Sequence, residues 1–419
     1  MHDILVERNP DRSGRREGAP RREFAKSEAV REKEAAERLD EIHEYLRDLY
    51  ARRDVVTRTD TPSGQTLDWV PAESQAPDGR VADPPDENRP LERLEGVHVA
   101  EQIRFEMEAE GVQTGPPGTV PLVRKQIERI HPAGTLQDWL AKGFEVKKLT
   151  APDDPQGGLQ EARRENPHKY AHAAQPVRCY GTEGFISLWG SYVEWSDEFS
   201  LGQLWLARGS GVGLQTVEVG VQTYRDLYGD WQPHLMLYYT TNGYSQSGDF
   251  KGGYNTDVRG WVQVATNMAP GQLVGPLSTL GGDQYEMGIK VQLFEGNWWV
   301  RIGPTWIGYY PASLFNAGGL AAQSDVVDWG GEIVDTPRVP ATTATDMGSG
   351  HWPAEGWQWC ANMRGLHYQS DTGGGMTRMW GSPSATHPMC YDLTADFGNT
   401  GSWGPYFWYG GSGRNSLCP

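Results

Sequence analysis

The sequence predicts an all-β C-terminal domain, an antiparallel β-sandwich or barrel, preceded by a helical segment and a small α+β region. Three observations predict it. Residues 151–419 carry 15 of the 17 tryptophans and only 14 Lys+Arg against 25 Asp+Glu, whereas residues 1–150 carry 24 against 30, so the composition breaks near residue 150. The C-terminal part is rich in Gly, Trp, Tyr and Thr, and turn signals such as Thr241-Asn-Gly243 and Glu295-Gly-Asn297 separate short apolar runs, as strands joined by tight turns require. Leu39, Ile42, Leu46 and Leu49 recur at 3-4-3 spacing in a helix-favouring stretch, which makes one apolar stripe on a helix.

The elements follow in chain order. Residues 1–23 are charged and without apolar periodicity, so a disordered lead is expected. The helix is expected over 24–53; its stripe either docks on the rest of the chain or pairs two copies, so self-association through it is left open. The Pro/Asp/Glu-rich stretch 76–91 reads as a loop within the region 54–150. Ala151-Pro-Asp-Asp-Pro-Gln-Gly-Gly158 opens a polar linker, 151–166, expected to be exposed and easily nicked. The β domain then occupies 167–419.

Two glutamates lie in strand-like runs of that domain, Glu218 in Thr216-Val-Glu-Val-Gly-Val-Gln222 and Glu332 in Asp328-Trp-Gly-Gly-Glu-Ile-Val334. Alternation puts Glu218 on one face with Thr216, Gly220 and Gln222, opposite Val217, Val219 and Val221. Glu332 shares its face with Gly330 and Val334. A carboxylate flanked by glycine and small polar residues fits a groove floor, since the missing side chains let a ligand approach the backbone. The competing reading is that any strand with one wet face carries glutamates for solubility.

The surrounding sequence decides between these readings. It resembles the neprosin family, known for glutamic prolyl endopeptidases, through the stretches 180–189, Glu198-Phe-Ser-Leu-Gly-Gln-Leu-Trp205, the Glu218 strand leading to Leu227-Tyr-Gly-Asp230, and Tyr239-Thr-Thr-Asn-Gly-Tyr244. Gly281-Gly-Asp-Gln-Tyr285, Gly308-Tyr-Tyr-Pro-Ala-Ser-Leu-Phe315, Trp329-Gly-Gly-Glu332, Met347-Gly-Ser-Gly-His351 and the ending from Cys390 to Pro419 extend it. The resemblance covers 55–419. It implies a β-sandwich catalytic domain at 167–419, an activation-peptide-like region at 54–150 that opens with a short hairpin over 57–75 and adds a second stretch at Gly118–Lys125, and catalysis by Glu218 and Glu332. The implied substrate is a peptide or protein, with a preference for proline carried by the resemblance to the family's founding members alone. Gln222, Gln284 and Tyr285 are candidate oxyanion partners, and Tyr239, Tyr309 and Trp329 are candidate aromatic contacts for a proline ring.

Two carboxyls can hydrolyse a peptide when their proton affinities are pushed apart, one ionised as general base and one protonated as general acid. Closely facing carboxyls achieve that split, because charging both costs more than charging one. The resulting pH profile is expected to be bell-shaped on the acidic side. A glycosidase would also use paired carboxylates, and a carbohydrate- or peptide-binding sandwich is the non-catalytic alternative; the family resemblance disfavours the first, and the two motif glutamates favour catalysis over the second.

Other classes are set aside on composition and motif. A net charge of -17 lacks the basic footprint of nucleic-acid recognition. There is no Gly-x-Ser-x-Gly elbow, His-Glu-x-x-His or phosphate loop, and Ser349 with His351 lacks an orienting third group. No cofactor is implied. Cys179, Cys360, Cys390 and Cys418 show no zinc-ligand spacing and allow three pairings; the family pattern implies Cys390 with Cys418 and leaves Cys179 and Cys360 as a second pair or two thiols. Family and cysteines favour an extracellular site, although the start, Met1-His-Asp-Ile-Leu-Val-Glu7, shows no secretory h-region, and no apolar run is long enough to span a membrane.

Overall fold

The computed structural model describes residues 9, 28–76, 79–86, 100–132, 134–142, 167–244, 252–336 and 342–419. The expected lead at 1–23, save residue 9, and the expected linker at 151–166 lie outside the described residues.

The N-terminal part holds α1 (Glu28–Ala51), β1 (Thr57–Asp60), β2 (Thr66–Pro71), β3 (Glu101–Gln102), β4 (Thr119–Arg124) and α2 (Leu136–Leu140). The expected hairpin is β1 with β2, and the second family-like stretch is β4, which pairs with β2. Asp68 on β2 is buried and binds Arg53, Arg58 and Arg124, which ties the end of α1 to the small sheet. Three guanidiniums around one carboxylate satisfy a charge that could not otherwise be buried.

The β domain contains β5 (His168–Cys179), β6 (Gly181–Ser187), β7 (Ser200–Arg208), β8 (Gln215–Thr223), α3 (Arg225–Tyr228), β9 (Pro233–Thr240), β10 (Gly252–Tyr254) and β11 (Val262–Gln263). It continues with β12 (Tyr285–Phe294), β13 (Asn297–Ile302), β14 (Thr305–Pro311), β15 (Ser324–Val334), β16 (Ala361–Gln369), β17 (Met376–Arg378), β18 (Ser382–Ala385), β19 (Asp392–Asp396) and β20 (Tyr406–Gly410). Among the described residues these form a seven-stranded sheet in the order β10-β9-β8-β7-β15-β5-β18 and a ten-stranded sheet along β11-β14-β13-β12-β6-β16-β20-β19, with β17 on β16 and β3 on β12. Pairing is antiparallel except for β3 with β12.

Alternation divides the seven-stranded sheet into two faces. Trp329, Leu204, Val219 and Leu237 are aligned across β15, β7, β8 and β9, and all four are buried. They pack toward the ten-stranded sheet: the Trp329 indole donates to Thr182 on β6 at 3.0 Å, and Gly202 is so close to Tyr409, Ile186 and Met363 that a Cβ there would meet the tyrosine hydroxyl at 2.6 Å. This is the sandwich core. The other face carries Glu218, Gln203 and Glu332.

That second face is covered by the N-terminal part. Ile42, Leu46 and Tyr50 of α1 and Trp139 and Leu140 of α2 join the main core cluster, so the apolar stripe read from the sequence is buried within its own chain. Lys125 pairs with Asp257, Tyr45 donates to the Asp257 carbonyl at 2.6 Å, and the Trp139 indole donates to the Asp226 carbonyl at 3.0 Å. Cys390 and Cys418 form a disulfide with Cα atoms 5.4 Å apart, while Cys179 and Cys360 are buried thiols. No helix among the described residues is long and apolar enough to cross a membrane.

Because Trp329 fills the space between the sheets, Trp329→Ala should lower unfolding stability by about 3–5 kcal/mol, measured by urea denaturation. A loss under about 1 kcal/mol would show that the indole is not a core element.

Candidate active site

Glu218 and Glu332 come from β8 and β15, which are separated by β7 in the sheet. Their side chains converge across Gln203 of β7 on a single cation. Lys142, just after α2, places its Nζ 2.5 Å from Glu218 Oε2 and 2.6 Å from Glu332 Oε2, and donates to Gln203 Oε1 at 3.0 Å. The two carboxylate oxygens are therefore no farther apart than the sum of those two contacts. Both carboxyls and the ammonium are almost fully buried.

Each glutamate has its own set of donors. Glu332 accepts from Gln203 Nε2 at 2.8 Å and Tyr170 OH at 3.1 Å, and His168 Nδ1 lies 2.6 Å from its Oε1. Glu218 Oε1 accepts from Thr216 Oγ1 at 2.8 Å and Tyr244 OH at 2.6 Å. Burial pushes the Glu332 carboxyl up, but the Lys142 ammonium and then His168 outweigh it and hold the group at about 2, below the usual 4.5. For Lys142, burial acts downward and the two glutamate charges act upward, with a net rise. Burial, followed by the neighbouring glutamates, also raises Tyr170 and Tyr244, so both phenols stay protonated as donors.

The floor of the groove needs glycine at two places. A Cβ on Gly220 would sit 2.2 Å from the Gly202 carbonyl, and one on Gly330 would sit 2.3 Å from the Cβ of His172. Both distances are shorter than any side chain tolerates, so Gly220 keeps β8 close to β7 between the two glutamates and Gly330 keeps β15 close to β5 beside Glu332.

The other residues singled out from the sequence fall elsewhere. Gln222 shares the Glu218 face, but its amide is engaged with Tyr228 and Tyr254. Tyr239 points to the sandwich core beside Tyr310 and Phe315, and the neighbouring Tyr238, one residue earlier, reaches the site and accepts from the Lys142 backbone N–H at 3.2 Å. Trp329 is likewise on the core face, and the indole on the groove face is Trp205. Gln284 donates to the Thr279, Gly282 and Asp283 carbonyls and so closes its own turn. Tyr285 starts β12 in the other sheet, and Tyr309 packs on Trp299 and accepts from Ala82 N–H at 3.1 Å.

The residues that sequence reading missed are Lys142, Gln203, His168, Tyr170 and Tyr244. The two on β5 left a signal, because His168, Tyr170 and His172 alternate in a run His-Lys-Tyr-Ala-His whose even positions share one face. Among the described residues no group of His, Cys, Asp and Glu has the geometry of a metal site.

Scytalido-glutamic peptidase bound to a transition state analog inhibitor overlaps 58% of this chain and 98% of its own at 7% identity and a TM-score of 0.30. SCP-B, a member of the Eqolisin family of peptidases in complex with the tripeptide Ala-Ile-His, overlaps 58% and 97% at 7% identity and 0.30. CG-16, a homodimeric agglutinin from chicken liver, overlaps 42% and 97% at 8% identity and 0.21. With overlaps this low, the sandwich is read from the strand pairing itself. The Neprosin family model matches residues 196–412, which contain both glutamates. The chain belongs to the Neprosin family, and with it to the hydrolases of the glutamic peptidase type.

Proposed function

We propose that Glu218 and Glu332 are the general acid and general base of an endopeptidase, and that the chain is a zymogen whose N-terminal part closes the groove through Lys142. The observation that carries this reading is the meeting of two glutamates from separate strands at one ammonium. A cation at that point occupies the space where water and a scissile carbonyl would have to lie, so hydrolysis requires Lys142 to withdraw.

Once it does, the two carboxyls no longer share a positive neighbour, and their mutual repulsion splits their proton affinities. Glu332 keeps Gln203, Tyr170 and His168 and is the better stabilised anion. Glu218 keeps Thr216 and Tyr244 and holds the proton. Glu332 takes a proton from the attacking water while Glu218 gives its proton to the carbonyl oxygen, so the tetrahedral intermediate is a neutral gem-diol. In its collapse a hydroxyl proton returns to Glu218 and Glu332 passes its proton to the amide nitrogen as the C–N bond breaks. Both groups end as they began. Preference for proline is the finer expectation; Trp205, Tyr170 and Tyr238 are the groove-side aromatic rings that would meet such a ring.

Acid is the expected trigger, and its sign follows from Glu332. Against burial, the Lys142 ammonium is the largest of the causes that lower that carboxyl from 4.5 to about 2, with His168 adding to it, so the Lys142 part of the stabilisation is present at neutral pH and is lost as pH falls toward about 2. Incubation from pH 3 to 8 with a proline-containing peptide, followed by mass spectrometry, should show fragments and self-cleavage only on the acidic side. Glu332→Gln or Glu218→Gln should each reduce kcat by a factor of about 100 or more without unfolding the protein; full activity in either variant refutes the pair.

Lys142→Ala should shift the onset of activity to higher pH. It should also raise the Glu332 pKa well above 2 in a carboxyl carbon NMR titration. Unchanged latency at neutral pH in that variant would remove Lys142 from the closure. Silence of every form at every pH would favour a binding module on this scaffold.

A further inference from the structure

We propose that Asp328, with Trp205 and His172, forms a second subsite in the groove that takes the cationic side chain of a lysine or arginine in the substrate. The proposal rests on the peptidase reading for its context but not for its geometry. Asp328 lies on the same face of β15 as Glu332, and Glu218, Trp205 and Asp328 stand directly opposite one another across β8, β7 and β15. The subsite is thus separated from the candidate acid by one indole.

Asp328 is a buried carboxyl that His172 and the Trp329 backbone N–H stabilise without filling all of its acceptor capacity. Its Oδ2 lies 2.8 Å from His172 Nδ1, whereas Oδ1 is buried without a hydrogen-bond partner, on a side chain only 5% exposed. Leaving such an acceptor unpaired is costly, and nothing in the sandwich requires it, because β15 is already paired on both sides. Burial raises this carboxyl to about 6, against the pull of His172 and the Trp329 N–H, while His172, which burial lowers, is raised overall by Asp328; a second cation would meet the oxygen that His172 leaves unused.

The surroundings select the partner. Trp205 is half-buried and stacks on His172 with centroids 5.8 Å apart and planes 20° from parallel. It offers a flat wall for an aliphatic stem or a guanidinium. Glu218, Glu332 and Asp328 on one face favour a cation over a neutral donor. The side chain that occupies the groove in this structure is itself a lysine, Lys142.

The test uses full-length Lys142→Ala protein and hexapeptides with lysine, or the uncharged norleucine, placed at each position in turn. Calorimetry at pH 7 should give at least about tenfold tighter binding for lysine over norleucine at one position. Asp328→Asn should bring the lysine and norleucine peptides within about twofold of each other, and Asp328→Glu should keep the preference. If Asp328→Asn fails to fold, Asp328→Ser takes its place. Absence of the preference overturns the proposal, as does its survival in Asp328→Asn, or its loss in Glu332→Gln alone, which would assign the lysine to the glutamate pair. Cleavage of the same peptides at acidic pH is scored separately: binding preference without cleavage sinks the peptidase reading and leaves the subsite, and cleavage without preference does the reverse.

Discussion

Two buried carboxylates from separate strands meet at one ammonium group, that of Lys142. Glu218 and Glu332 are buried within reach of one another, a placement in which two negative charges would repel and desolvation would drive at least one to take up a proton. Lys142 makes both charges tolerable at once, and the hydrogen bonds from Gln203, Thr216, Tyr170 and Tyr244 satisfy the remaining oxygen lone pairs. Buried ion networks of this kind contribute little net stability as a whole, yet removing one member leaves a charge without compensation. Such a network is therefore well suited to a two-state device, because its value depends on all members being present together.

A lysine can act in this way only if the backbone that carries it is held in place. The anchor lies in the contacts around it: Trp139 and Leu140 buried in the core cluster immediately before Lys142, the Trp139 indole on the Asp226 carbonyl, and the buried Lys125–Asp257 pair. Behind these, α1 lays Ile42 and Leu46 into the same core, and Asp68 gathers three arginines to fix the small sheet. The apolar contacts carry no titratable group, whereas Glu332 and Asp68 are buried carboxyls that their cationic neighbours hold below the usual range against the effect of burial. On the proposed closure, strong acid would therefore act on the polar contacts and leave the apolar ones to cleavage of the chain.

Much of this was legible in the sequence, and the limits have physical causes. Period-two alternation set Glu218 apart from the valines beside it, and the same rule holds in the structure because β8 is sandwiched between β7 and β9 with one face in the core. The helix expected over 24–53 is described over Glu28–Ala51, with residues 24–27 outside the described residues, and the 3-4-3 stripe defines its buried face. Trp329 and Tyr239 were read as groove residues from their motifs, although alternation from Glu332 already assigns Trp329 to the opposite face. A one-residue error flips a strand side chain through the sheet, so motif membership is a poor guide to direction. Lys142 left no local trace, because its partners are 76 and 190 positions away in the sequence and only the tertiary fold brings them together.

The position of Gln203 explains why the two glutamates stand on strands that are not neighbours. On adjacent strands, directly opposed side chains are about 5 Å apart at Cβ, too close for two carboxyls to admit both a water and a carbonyl between them. With β7 interposed, the gap is wider and its floor is the Gln203 amide, which donates to Glu332 and accepts from Lys142. Gly220 and Gly330 are the residues paired with Gln203 on either side, so no side chain competes for the space above it. On the proposed opening, withdrawal of the lysine would release the carbonyl of that amide while its N–H2 stays on Glu332. The strand between the glutamates thus sets their separation and, on that reading, would offer a vacated acceptor for a water.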